Sequence, residues 1–170
     1  NALVEISRLF SAGDRVSASG IAEQLRGRYH DVADELYSGA DWSEKAHALI
    51  DDHFSFIAAM VSGKFSNHNE RRILARGELI STAMLHFLLS ERGIPSLLVP
   101  ALNFMRIDKD GEPDYFYIRE NLKRELSVLK DEKIIITQGF ICRNVNGETD
   151  NRRRGGSDFR RSSPADGPTR

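Results

Sequence analysis

The run Lys133-Ile134-Ile135-Ile136-Thr137 constrains this chain more than any other segment. Its apolar residues are continuous, not alternating, which fits a parallel strand covered on both faces. Leu97-Leu98-Val99, entered through Pro95-Ser96, reads as a second strand. Residues 120–129 between them read as a short helix, and residues 103–117 as a polar connection. Helix, strand, helix, strand in that order predicts an α/β fold with a parallel sheet.

The first 65 or so residues are helical in pattern. Ile21, Leu25, Tyr29, Val32 and Leu36 recur at helical spacing with charge between them. After a turn at Ser38-Gly39-Ala40, Asp41-Trp42-Ser43-Glu44 fits a capping box with Asp41 as N-cap. A second stripe follows through Ala46, Leu49, Ile50, His53, Ile57, Met60 and Val61, closed by Ser62-Gly63. His53 on that stripe reads as a core histidine. A third helix is expected over residues 69–92 with Gly93 as its C′ residue. Its half from Leu79 to Leu89 is apolar nearly all round and is expected to be buried. Residues 144–150 read as a loop. From Arg160 onward no apolar periodicity is left, so residues 160–170 are expected to be a disordered tail.

The chain has 170 residues, a length that fits one domain with a normal core. Its formal net charge of −1 gives no support to a nucleic-acid or anionic-membrane partner. No uninterrupted apolar run reaches bilayer length. One cysteine, Cys142, excludes an internal disulfide and fits a reducing compartment. It reads as a small core residue at a strand end. Five histidines without recognisable ligand spacing give no metal site made wholly by this chain.

Two segments carry chemistry. Gly77 lies inside the third helix, where glycine costs about 1 kcal/mol against alanine. Close packing or a ligand near the backbone would offset that cost. Glu78 precedes the apolar half of the same helix, so it turns to solvent or needs a cationic partner. A surface pairing with Arg71 or Thr82 is the plain alternative. The second segment is Arg154-Gly155-Gly156-Ser157-Asp158. It combines a bidentate cation, two glycines that admit a ligand to the backbone, and an N-cap whose helix would favour negative charge. A Gly-Gly turn among solvated arginines is the alternative there.

The ordered set Gly77-Glu78-Leu79-Ile80-Ser81, Ile136-Thr137-Gln138-Gly139-Phe140-Ile141 and Arg154-Gly155-Gly156-Ser157-Asp158 resembles the catalytic domain of the aspartokinases, in the amino acid kinase family. The resemblance covers roughly residues 1–159. It implies a three-layer α/β/α sandwich around a mostly parallel sheet, here truncated. A helical part would occupy 1–66 and an α/β part with the aspartate pocket 67–159. It also implies transfer of the γ-phosphoryl group of MgATP to the side-chain carboxylate of L-aspartate, for lysine, threonine and methionine synthesis. ATP and Mg²⁺ would belong to the full-length enzyme, a cytoplasmic homo-oligomer. Carried over by position, Glu78 would hold the substrate's ammonium group. Arg154 would pair a substrate carboxylate, with Gly155 and Gly156 beside it. Ser157 would hydrogen-bond the substrate, and Asp158 would organise phosphoryl transfer. Phe140 would line the pocket at a strand's carboxyl end.

The sequence also departs from that family. The family's Lys-Phe-Gly-Gly-Thr-Ser segment, with its phosphate-facing lysine, is not found in it, nor is the nucleotide-binding half. Asp150-Asn151-Arg152-Arg153 stands where the family has Thr-Thr-Leu-Gly. Pro164 limits any helix that starts at Ser157 to about two turns. The chain is therefore expected to be an internal fragment without activity of its own. The competing readings are another amino acid kinase, or a non-catalytic helical interaction fragment.

Overall fold

The computed structural model describes residues 1–128 and 134–151. Four long helices come first: α1 (Ala2–Ser11), α2 (Arg15–Leu36), α3 (Ala40–Ser62) and α4 (Asn67–Glu91). Local caps start three of them. Asn1 accepts from the Leu3 amide at 3.2 Å, Asp14 from Ser17 at 3.0 Å, and Ser66 from Asn69 at 3.1 Å.

The start of α3 differs from the expected capping box. Its N-cap is Gly39, with no side-chain cap, and Asp41 falls within the first turn. The work is done from outside the helix. Glu91, at the end of α4, accepts from the amides of Ser38 at 3.0 Å and Gly39 at 2.7 Å. One carboxylate thus fixes the α2–α3 turn and ties it to α4.

The stripe of α3 meets α1 and α4 in one core. Ile6 and Phe10 of α1, Ile50, Ile57 and Val61 of α3, and Ile73 and Ile80 of α4 are buried there. The stripe expected on α2 is only partly buried: Val32 is 44% exposed, and Ala18, Ala22 and Ala33 are the buried residues of that helix. Gly93 takes a positive φ of 66° directly after α4, as expected of a C′ glycine. The all-round burial expected of Leu79 to Leu89 is not met. Ile80, Ala83 and Met84 are buried, while Leu85 is 47% exposed. By length and composition α4 could cross a bilayer, which a search for uninterrupted apolar runs misses because Arg76 and Glu78 lie on it. Core helices meet the same criterion, and α4 packs against α1, α3 and β1.

Strand β1 (Ser96–Leu98) pairs in parallel with β2 (Ile134–Ile136), Leu97 opposite Ile135. Parallel pairing of these two segments is as the sequence predicts. Coverage on both faces is not: Ile136 is buried, but Ile134 and Ile135 are 39% and 45% exposed. Two strands make a narrow ribbon, and among the described residues it leaves Ile134 and Ile135, which point to opposite faces, partly open. The architecture is helix-rich with small sheets, and the complete three-layer sandwich is not seen.

Between β1 and β2 lie α5 (Ala101–Phe104) and α6 (Tyr115–Leu126). The helix read over 120–129 thus begins five residues earlier. Asp114 caps it, accepting from the Tyr117 amide at 3.1 Å. The loop read over 144–150 is the turn of an antiparallel hairpin, β3 (Ile141–Arg143) with β4 (Thr149–Asn151). Asn144 accepts from the amides of Asn146 and Glu148 at 2.9 and 3.0 Å, and Gly147 has φ 78°. The Gly147 amide donates to Asn144 O at 2.9 Å, and the left-handed Gly147 that follows the turn is typical of a longer hairpin loop. Cys142 is fully buried on β3, the small core position expected of it. Residues 160–170, expected to form a tail, lie outside the described residues.

Candidate active site

A cleft of about 420 Å³ opens where α1, α2 and α4 meet the turn after β2. Its walls are the first turn of α1, Leu25 and Tyr29 of α2, and Leu74, Gly77, Glu78 and Ser81 of α4, together with Phe140. Two candidate residues that the sequence separates widely, Glu78 and Phe140, therefore line one cavity.

Gly77 sits where Leu3 of α1 packs against α4. A Cβ at this position would lie 3.1 Å from Leu3 Cδ1. Close helix packing thus offsets the helix-propensity cost of this glycine. The close approach also brings the first turn of α1 to the rim of the cleft.

Glu78 is half-buried, and its carboxylate has no hydrogen-bond or ion-pair partner among the described residues. The two partners considered for it are engaged elsewhere. Arg71 pairs with Asp150 at 2.8 Å. The Thr82 hydroxyl donates to the main-chain oxygen of Glu78 at 2.7 Å, not to its carboxylate. Tyr29 stands close enough to be affected. Burial first, and then the Glu78 charge, hold its phenol above the usual range, and Tyr29 lines the same cleft.

Phe140 has φ 38°, the one positive value at a non-glycine residue among the described residues. The Ile141 amide donates to Gly139 O and closes a three-residue turn around it. Such a conformation costs on the order of 1–3 kcal/mol and persists only where the surroundings fix it. Phe140 packs against the cluster of Ala75, Ala101 and Ile141.

The sequence analysis gives the Gln138 side chain no role, yet it is buried and bonded at both ends of its amide. Gln138 is 5% exposed. Its Oε1 accepts from the Ala101 amide at 2.7 Å, and its Nε2 donates to Thr82 Oγ1 at 2.8 Å. An uncharged amide flanked by Thr137 and Gly139 offers no charge or spacing signal that would have revealed this.

Two polar groups lie apart from the cleft. His53 accepts from Arg76 Nη1 at 3.2 Å, and that guanidinium lies 3.7 Å over the Phe56 ring. Burial, then the neighbouring cation, pushes His53 down to about 4. His53 is thus a core-flanking base, in keeping with its place on the apolar stripe. His30 and His47 stack on each other, and each turns its Nε2 to a carboxylate, Asp51 and Asp34 respectively, at 2.8 Å. Among the described residues no group of three or more His, Cys, Asp or Glu is arranged to hold a metal ion. Arg154, Gly155, Gly156, Ser157 and Asp158 lie outside the described residues, and so does the expected meeting of Arg154 with Glu78.

This arrangement of helices and small sheets is similar to that of solved aspartokinases, which supports an amino acid kinase-like fold. Aspartokinase III of E. coli, solved in complex with aspartate and ADP, superposes with a TM-score of 0.67 at 25% identity, over 91% of this chain and 36% of that one. The aspartate kinase of Clostridium acetobutylicum matches in fold, with a TM-score of 0.66 at 19% identity, over 92% of this chain and 31% of that one. In sequence, the bifunctional aspartokinase/homoserine dehydrogenase 2 of E. coli K12 is 30% identical over 156 residues, 88% of this chain and 18% of that protein. Lysine-sensitive aspartokinase 3 of the same strain is 34% identical over 90 residues, 51% of this chain and 20% of that protein. No protein-family model matches. The homologues and structural neighbours of this chain are aspartokinases, and the chain spans about a fifth of the length of the curated relatives it matches.

Proposed function

We propose that this chain carries the amino-acid half of an aspartate kinase site, and that the full gene product transfers a phosphoryl group from MgATP to the side-chain carboxylate of L-aspartate. The observation that carries the reading is Glu78. A half-buried carboxylate without a partner, facing a cleft, is costly unless a cation arrives to meet it. The ammonium group of an amino acid is such a cation. Phe140 supplies an apolar wall that excludes water from the bound substrate and so strengthens the ion pair. Tyr29 can donate a hydrogen bond within the same cleft.

Aspartate also brings two carboxylates. Arg154, Gly155, Gly156 and Ser157 take them in this proposal, and Asp158 organises the transfer, on the strength of the resemblance alone. In the reaction, a carboxylate oxygen of aspartate attacks the γ-phosphorus while the bond to the bridging oxygen of ADP breaks. Such chemistry asks for positioning and charge neutralisation more than for covalent help. Mg²⁺ would come with ATP in this proposal; among the described residues no group of three or more His, Cys, Asp or Glu is arranged to hold it.

A panel of acceptors tests the proposal. The full gene product, with MgATP, is expected to release ADP in the presence of L-aspartate. L-glutamate, N-acetyl-glutamate and nucleoside monophosphates should give at most a few per cent of that rate, on the order of the discrimination that a mismatched polar site enforces. Preference for any other acceptor would assign the cleft to a different amino acid kinase. No turnover with any acceptor, together with no aspartate binding, would favour a non-catalytic role.

A further inference from the structure

We infer that Gln138 and Thr82 form a positioning latch that sets Phe140 against Glu78, an inference that rests on the aspartate reading of the cleft. The hydrogen bonds run in one direction. The Ala101 amide donates to Gln138 Oε1 at 2.7 Å, Gln138 Nε2 donates to Thr82 Oγ1 at 2.8 Å, and the Thr82 hydroxyl donates to Glu78 O at 2.7 Å. A backbone N–H can only donate, so the Ala101 contact fixes which end of the Gln138 amide is oxygen. The Thr82 hydroxyl donates chiefly to Glu78 O, with Leu79 O a longer acceptor at 3.4 Å, and both leave a lone pair for Gln138. Each member therefore has one role, and donors aligned in a chain reinforce one another.

The position of the chain gives it a task. Gln138 stands two residues before Phe140 and Thr82 one helical turn after Glu78, so the bonds join the turn carrying the apolar wall to the turn carrying the carboxylate. The same amide holds the first residue of α5. The three-residue turn at Phe140 needs surroundings that fix it. Gln138, 5% exposed and bonded at both ends of its amide, is the polar part of those surroundings. Loss of either side chain would leave a partner unsatisfied near the cleft, and the wall would move relative to Glu78.

Steady-state kinetics of the full gene product test this. Thr82→Val and Gln138→Leu should each raise KM for aspartate about tenfold, the usual consequence of one orphaned buried hydrogen-bonding group. KM for ATP should change less than twofold. Thr82→Ser keeps the hydroxyl and should restore KM to within about threefold. The double variant should resemble either single one, because one chain is cut in both. Glu78→Gln is the control for the underlying reading. If it raises the aspartate KM while Thr82→Val and Gln138→Leu do not, the latch is refuted and the site stands. If Glu78→Gln itself leaves the aspartate KM unchanged, the site reading fails first. Should Gln138→Leu not fold, Thr82→Val against Thr82→Ser decides the question. A uniform fall in kcat with unchanged KM values would mark the pair as merely structural and overturn the inference.

Discussion

Replacing Glu78 with glutamine should raise KM for aspartate on the order of 100-fold in the full gene product, with little change in KM for ATP. The amide keeps the shape of the side chain and removes the charge that would meet the substrate's ammonium group. Stability should move the other way or not at all. Among the described residues the half-buried Glu78 carboxylate has no partner, which costs folding energy that an uncharged glutamine reduces. A structural carboxylate would behave oppositely, its loss lowering the melting temperature without selecting among substrates. Kinetics with each substrate varied, together with a thermal melt, separate the two outcomes. Unchanged aspartate dependence in Glu78→Gln would remove the basis of the functional assignment.

A second large effect is expected on the acid side of the stability profile, away from the cleft. His53 is held neutral at about 4, against an ordinary value of 6.5, by burial and by Arg76. Asp52 opposes this shift only weakly, and Arg72 adds positive charge near Arg76. Arg76 is itself pushed down to about 10 by burial and by Arg72, yet stays charged at every pH of interest here. The unfolded chain therefore binds a proton at His53 that the folded chain refuses. Stability is complete above about pH 6.5 and falls as pH drops through that value toward 4, by on the order of 3 kcal/mol. Below that range His53 is protonated in both states and contributes no further slope. His53→Gln should flatten this limb, since an amide can accept from Arg76 without titrating. Urea titrations at pH 4.5, 5.5 and 7 would show it. Equal slopes in the wild type and His53→Gln would exclude His53 as the source.

The long helices were legible because their apolar stripes repeat over many turns and meet in one core through Ile6, Ile50, Ile57, Ile73 and Ile80. The parallel pairing of β1 with β2 was legible from order and continuity. What escaped depends on contacts distant in sequence. The start of α3 looked like a capping box at Asp41, but Glu91, from the far end of α4, fixes that turn. The start of α6 rests on one cap at Asp114, which the reading placed inside a polar loop. Burial of the Ile134 and Ile135 side chains needs neighbours that the described residues do not supply.

At the site, Glu78 and Phe140 were chosen from their motifs, and the structure brings them to one cleft. The close approach of Leu3 that explains Gly77 could not be read, because nothing local links residue 3 to residue 77. The Gln138 side chain escaped for a similar reason: its partners, Ala101 and Thr82, lie on two different helices.

The most direct test is a crystal structure of the full gene product with L-aspartate bound. The ammonium nitrogen should lie about 3 Å from a Glu78 carboxylate oxygen, the distance of a charge-assisted hydrogen bond, with the Phe140 ring against the substrate. Aspartate bound elsewhere, or bound with Glu78 turned to solvent, would contradict the account.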